Sequence, residues 1–480
     1  MNLKIDKSKI TNSTEIVEII NSLIADLNTN DIALVKNPSY IYSPLEIYPL
    51  APKILGRISG LIGIAKDMDG TTTTTEPLCL HSLEWMIRRI TDRLPGWSKN
   101  SRSEWAGLDK DVDYPHIIGN STTKHVEYLV KRYENEISAQ SFCRSYIEAA
   151  LWTLIVGKDP GRRNEVKANI STLGLDFLWE HAGIKKVLES NTFIQPNIDH
   201  ILDSILETAL SNFNINSLTN KVRAAVDIYY MRYHSILMDI ADGKGRERSE
   251  ELLNMPGKRL VEAMPGVGIL ISLVKGWLGE DIISLKDILL NDLHSKGIEL
   301  SSENIEKSAN LLAPLGLYFK NNPVKIAIVT SSIAYEADIV LTEVFSVIRE
   351  QIASWPIAAE KKEFLIEKFS SYKTLYDAFI TATDSSEIRL KPHRDLYSIA
   401  LHQMGIPKEK YSQVAGFEDS ESGTIAIRAA GIGLCLAVPF ADTAGHDLSA
   451  ATHILHGQLP EYIFVHQCFL QTELLDKYRK

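Results

Sequence analysis

The stretch that most constrains this chain is Ile62-Gly63-Ile64-Ala65-Lys66-Asp67-Met68-Asp69-Gly70-Thr71. A short, mostly apolar run closed by Gly-Thr predicts a buried strand that stops at a turn. On extended backbone the i, i+2 spacing puts the Asp67 and Asp69 side chains on one side. In open α/β sheets, ligands bind beyond the carboxyl ends of the strands, where this pair stands. Two carboxylates there can share a cation, or divide nucleophilic and acid/base work. Asp and Gly also occur in turns for purely local backbone reasons, so this stretch alone points both ways.

Three later segments narrow the choice. Lys325-Ile326-Ala327-Ile328-Val329-Thr330-Ser331-Ser332 is a second apolar strand ending in hydroxyls. Lys391-Pro392 precedes a helical segment that contains Asp395-Leu396-Tyr397. Val414-Ala415-Gly416-Phe417-Glu418-Asp419-Ser420 is a third strand, ending in an acidic pair with Gly423 beyond it. In this order, and with Thr75-Glu76-Pro77-Leu78 after the first motif, the set resembles the haloacid dehalogenase superfamily. The nearest branch is the β-phosphoglucomutase-like phosphatases.

The resemblance implies a Rossmann-like α/β core with a parallel sheet, and a large, mostly α-helical cap inserted after the first catalytic strand. It makes Asp67 the nucleophile of an aspartyl-phosphate mechanism and Asp69 the acid/base. Dehalogenases and phosphonatases typically lack that second Asp, so Asp69 favours phosphoryl esters. Thr330 would bind a phosphoryl oxygen, with Ser331 and Ser332 opening the next helix, whose amides favour an anion. Lys391 would neutralise charge between Asp67 and the phosphoryl group. Gly70 and Thr75 join Ser331 and Ser332 as expected substrate contacts. Mg²⁺ is the implied cofactor, held by Asp67, Asp69 through its backbone carbonyl, Asp419, and Glu418 directly or through water.

Length and composition set outer bounds. A chain of 480 residues predicts two or three units. With 45% hydrophobic and 23% charged residues it reads as a soluble globular protein. No apolar run approaches the ~20 residues needed to cross a bilayer. The amino terminus lacks the apolar core of a secretory signal. Cys79, Cys143, Cys435 and Cys468 lie far apart without metal-type spacing, as expected for free thiols in a cytoplasmic protein. The net charge of −10, from 51 basic and 61 acidic side chains, argues against a nucleic acid partner. A small phosphorylated substrate remains compatible, because a local Lys, backbone amides and a metal outweigh a diffuse field. Oligomeric state is not legible.

We expect residues 1–60 to form an extension packing on the core, with a capped amphipathic helix from Ser13 to Leu23 and turns near Asn37-Pro38 and Ser43-Pro44. Tyr40, Tyr42 and Tyr48 are candidates to line a pocket, with packing as their ordinary reading. The core comprises 61–79 and 263–480, with a helical insertion at about 276–310 and resumption at about 311. The cap is 80–262, with helices around 123–136, 139–157, 199–212 and 218–242. Met264-Pro265-Gly266-Val267 marks the return to the core, and Ala451–Leu455 predicts a last edge strand.

The chain also departs from the family pattern. Lys66 precedes the nucleophile where an aromatic or apolar residue is usual, and faces either the site or the opposite side of the strand. Cys79 stands where mutases carry His, with His81 close by. Thr122 stands where mutases carry Arg, with Lys124 as a nearby substitute. Arg394 is left without a role. His81, Trp85, His116 and His125 are cap-side candidates whose ordinary reading is packing. The expected activity is hydrolysis of a small phosphorylated metabolite, a sugar phosphate first. Phosphomutase activity and a non-catalytic phosphate-binding scaffold are the competing readings.

Overall fold

The computed structural model describes residues 31–37, 44–94, 105–118, 121–386, 389–440 and 446–479. The expected Ser13–Leu23 helix, Tyr40, Tyr42 and the Pro38 and Ser43 turn residues lie outside them.

The extension carries two strands that the sequence reading did not anticipate. β1 (Ile32–Lys36) and β2 (Leu45–Pro49) pair antiparallel, with Leu34 opposite Ile47. Val35 and Tyr48 turn inward while Leu34 and Ile47 stay exposed, the period-2 pattern of a half-buried ribbon. Arg428, 1% exposed, bonds Asp31 and the carbonyl of Ala51, so both ends of this hairpin are tied to the core.

Among the described residues the core is a six-stranded, wholly parallel sheet: β3 (Gly63–Asp67), β4 (Lys325–Val329), β5 (Ala378–Ile380), β6 (Val414–Glu418), β7 (Leu434–Ala437) and β8 (His453–Ile454), in the order β5-β4-β3-β6-β7-β8. Side chains alternate between two cores, as the pleat requires. Ile64, Ile328, Phe417 and Leu436 enter one; Ala65, Val329, Cys435 and Ala437 enter the other. Helices cover both faces, the arrangement that wholly parallel sheets need. Asp67 aligns with Val329 across the β3–β4 pair and Lys66 with Phe417 across β3–β6, so the motif-bearing strand ends share one edge of the sheet. β8 is the expected edge strand, reduced to two residues.

Between β3 and β4 the chain is helical. The Glu76–Ile90 helix buries Leu78, Leu83, Met86, Ile87 and Ile90, an i, i+3, i+4 stripe against the Leu218–Ala241 helix. Leu83→Ala there would cost about 2–5 kcal/mol. The Ala139–Ile155 and Gln195–Asn212 helices complete the bundle. Two crossings join this region to the core, and the threonine run forms one of them. Thr72 accepts from the Met264 amide at 3.0 Å, Thr74 donates to the Glu262 carbonyl at 3.1 Å, and Thr73 bridges Ala263. Gly266, at φ +78°, then starts the Val267–Val274 helix.

Two expectations shift. The anticipated resumption of the core at about 311 falls inside a continuous Ser302–Asn321 helix, begun by the Ser301 cap. Ser331 and Ser332 do not open the following helix either. They precede it, because Ile333 is its N-cap and Ala334 its first residue.

Candidate active site

Asp67, Lys391, Glu418 and Asp419 each leave the end of a strand or a loop beside one. Asp67 closes β3, Glu418 closes β6 and Asp419 follows directly. Their carboxylate oxygens gather within 4.8 Å of one another, and all three residues are buried. Two glycines make room: a Cβ at Gly423 would run into the Glu418 carboxyl, and one at Gly70 into the Asp419 carboxyl. Gly70 also adopts φ +76°, where other residues are strained. It serves here as clearance for a carboxylate and is not part of the cavity wall.

Lys391 sits on the cluster. Its ammonium bonds Asp67, the Val329 carbonyl at 3.0 Å and Glu418 at 2.6 Å. Burial opposes its charge, but Asp67 and Glu418 outweigh that and hold the Lys391 pKa above its ordinary value. Glu418 also accepts from Tyr397 at 2.9 Å and from Ser420 at 3.0 Å, while Ser420 caps the next helix through the Gly423 amide. Asp67 is pushed well above the carboxylate range by burial and then by Glu418. Burial, then Glu76 and Glu418, does the same to Asp419. Three buried carboxylates therefore share one lysine. A hard divalent cation fits that set, because it supplies the missing charge to an all-oxygen donor group.

Asp69 lies apart from the cluster. Its carboxylate accepts from the hydroxyls of Thr75, Thr330 (3.0 Å) and Ser332 (3.0 Å). Its side chain is thus held by hydroxyls outside the three-carboxylate group. Thr330 is fully buried, points at Asp69 and accepts the Ser332 amide at 2.9 Å; Ser331, Ser332 and Thr75 line the cavity.

The cavity, about 120 Å³, opens from this group toward the helical region. Of the helical candidates, His125 and Thr122 line it, together with Cys79. The Cys79 thiol lies 4.0 Å from His125 and accepts from Tyr229 at 3.5 Å. Burial pushes it up to about 12, so it is no thiolate. His81, Trp85, His116 and Lys124 are not among the lining residues. His81 meets Arg232 at 2.9 Å, Trp85 packs under Arg89, and His116 stacks on Tyr128. Arg394 is the exposed N-cap of the Asp395–Gln403 helix.

Sequence reasoning missed Glu76, Tyr229, Tyr233 and Glu336, all in the cavity wall. Glu336 is bonded to His234 at 2.9 Å, both buried, across the boundary between core and helical region. Glu76 stands in the Thr75–Leu78 segment after the first motif, and its place in the first turn of the helix is the available signal. Tyr229 and Tyr233 sit mid-helix among ordinary core residues and Glu336 in the first turn of the Ala334–Ser354 helix, where no local pattern marks them.

Lys66 resolves to the far side of β3. It shares a face with Ile64, away from Asp67, and is absent from the cavity wall. Its Nζ is buried with no hydrogen-bond partner among the described residues, and burial pushes it down to about 7.

Strand order, an inserted helical region after β3, and Asp67, Thr330, Lys391 and Glu418–Asp419 brought to one sheet edge decide the architecture. It is the expected one, a Rossmann-like α/β core with a mostly helical region inserted after the first motif-bearing strand. No protein-family model matches the sequence, and no curated protein matches it. Similar solved structures include CbbY from Rhodobacter sphaeroides in complex with phosphate, at 12% identity over 84% of this chain and 96% of that one, TM-score 0.36. A provisionally named β-phosphoglucomutase from Thermotoga maritima aligns at 16% identity over 86% and 100%, TM-score 0.32. No helix among the described residues is long and apolar enough to cross a membrane.

Proposed function

We propose that this chain is a Mg²⁺-dependent phosphomonoester hydrolase acting on a small phosphorylated metabolite, sugar phosphates first. The observation that carries the reading is the shortage of positive charge among Asp67, Glu418 and Asp419 at the buried end of a small cavity. Perturbed carboxylates in a cleft are a signature of chemistry rather than packing.

In the first step an Asp67 oxygen bonds to phosphorus as the bond from phosphorus to the leaving oxygen breaks, and Asp69 gives that oxygen a proton. In the second, a water oxygen attacks the same phosphorus, Asp69 takes the proton, and the bond to Asp67 breaks to release phosphate. Lys391 offsets the negative charge that gathers beside Asp67. Asp67, Glu418 and Asp419 would hold Mg²⁺, which when bound neutralises and orients phosphoryl oxygens. The hydroxyls of Thr75, Thr330 and Ser332 set the direction of Asp69.

Lys391 is the one Lys or Arg among the described lining residues, and Thr122 stands on the cap side. A second phosphate would find no cationic partner there, which supports hydrolysis over mutase chemistry. The test is phosphate release from a panel of metabolite phosphates, with and without Mg²⁺, for wild type and Asp67→Asn. Release confined to wild type with Mg²⁺ is expected. Turnover by folded Asp67→Asn would remove the nucleophile assignment.

A further inference from the structure

The hairpin that precedes the core is not needed to complete the sheet, yet its inner face reaches the loop that carries Lys391. That loop presents two residues to it, one on each side of the lysine. Arg389 donates to Glu46 of β2 at 2.9 Å and makes a two-pronged pair with Asp395, at 2.8 and 2.9 Å. His393 meets the Tyr48 hydroxyl at 2.8 Å, with the two rings edge to face at 5.7 Å. Tyr48 also donates to Glu46 at 2.6 Å, closing the set, and Asn37 of the same hairpin reaches the other Glu46 oxygen at 3.1 Å. Tyr48 and His393 are 7% and 4% exposed, so water competes little for these bonds. The hairpin itself is fixed by Arg428 at both of its ends, through Asp31 and Ala51. Arg428 belongs to the helix after β6, the strand that delivers Glu418 and Asp419.

We propose that Glu46 and Tyr48 are positioning residues for Lys391: the hairpin ties the lysine loop to the element carrying the acidic pair, and so fixes the ammonium between Asp67 and Glu418. This rests on the role given to Lys391 above. A lysine that must bridge two carboxylates 324 and 27 residues away in the chain (391 − 67 and 418 − 391) tolerates little loop motion. A displacement of about 1 Å in such a group lowers turnover by one to two orders of magnitude.

The experiment compares wild type, Tyr48→Phe, Glu46→Gln and Leu34→Ala. Leu34 lies on the exposed face of the same hairpin and makes none of these bonds. Each is measured for turnover of an active ester and for the Kd of orthovanadate with Mg²⁺, vanadate standing in for the five-coordinate phosphorus. Thermal melting confirms that each variant is folded. Tyr48→Phe keeps the ring and removes only the hydroxyl, so it remains informative if Glu46→Gln fails to fold. We expect Tyr48→Phe to lower kcat about tenfold, with KM little changed, and to weaken vanadate binding about tenfold. Leu34→Ala should match wild type. In a Lys391→Ala background, Tyr48→Phe should add nothing, which a general structural role would not produce. Wild-type kcat and vanadate affinity in Tyr48→Phe, or an undiminished effect in the Lys391→Ala background, would overturn the proposal. A wild type that turns over no ester, but whose vanadate affinity falls in Tyr48→Phe only when Lys391 is present, would sink the hydrolase reading and leave the positioning role standing.

Discussion

Two clusters of buried charge, one in the helical region and one in the core, are built on opposite plans. In the helical region Arg162 pairs with Asp227, Asn169 bonds the other Asp227 oxygen at 2.8 Å, and Arg223 reaches Asn169 at 3.0 Å. In the core, Asp67, Glu418 and Asp419 share Lys391. Depth does not separate the two, since Asp227 is 0% exposed and Asp67 4%. Charge balance does. Asp227 is pushed up by burial, to about 6, but Arg162 and Asn169 pull it back. Asp67 and Asp419 are driven well above the usual range by burial and by one another's neighbours, with a single cation in opposition. A balanced buried cluster ties helices together; an unbalanced one is what the proposed cation and anionic ester would complete.

The largest expected effect tests the core side of this contrast. Asp67→Asn should lower kcat by roughly three orders of magnitude or more, since a nucleophile has no substitute. Its metal-free melting temperature should hold or rise, because a repelled carboxylate has been neutralised. Phosphate release and thermal melting on the same sample check both halves.

The helical cluster should answer in the reverse sense. Arg162→Leu leaves Asp227 buried without its guanidinium and should cost about 3–5 kcal/mol of stability, read from denaturant unfolding. Asp227 carries the pH signature. With its folded pKa raised from 3.8 to about 6, the stability it contributes is fully present below about pH 4 and is lost as pH rises through 6. Removing Arg162 raises that pKa further, so the deficit of the variant should narrow as pH falls toward 4. A deficit independent of pH would mean that the carboxylate is not what the arginine stabilises.

Adding Mg²⁺ sharpens the comparison from a third side. At a hundred times its Kd, a ligand that binds only the folded state stabilises by about 2.7 kcal/mol. Wild type should gain on that order, Arg162→Leu should gain equally from its lower starting point, and Asp419→Asn should gain much less. Calorimetric melting at several Mg²⁺ concentrations reads all three.

How much of this was legible in the sequence follows from where the chemistry sits. Asp67, Thr330 and Glu418–Asp419 end or adjoin apolar strands and announce themselves by contrast with what precedes them. Lys391 was recognisable only from its place in the motif order. The helical stretches were legible for the same reason as any amphipathic stripe, from Leu78 to Ile90 above all. β5 and β7, three and four residues long, are too short to carry a period of their own. Glu336 and His234 meet only because two distant helices pack, and nothing near either residue records that. The hairpin is masked by the turn signals Asn37-Pro38 and Ser43-Pro44, although Leu45-Glu46-Ile47-Tyr48 alternates as a strand does.

Lys66 stands outside both plans, a single buried cation with neither the partners of Arg162 nor the carboxylates that hold Lys391. Its neighbour Asp67 acts on it only through charge, since the two side chains leave opposite faces of β3. Burial has pushed its pKa from 10.5 down to about 7. The folded state therefore holds this proton less tightly than the unfolded chain, and stability rises with pH between about 7 and 10.5. Lys66→Met fills the same volume without a charge and should be more stable than wild type at pH 7 by about 1–2 kcal/mol. The gain should shrink as pH rises, because wild type sheds its penalty and the variant has none to shed. Turnover should stay within a few-fold of wild type, because nothing in the cavity wall has changed. A large fall in kcat with full folding would place Lys66 in communication with Asp67 through the strand, and the division between packing charge and working charge would then have to be redrawn at the proposed nucleophile itself.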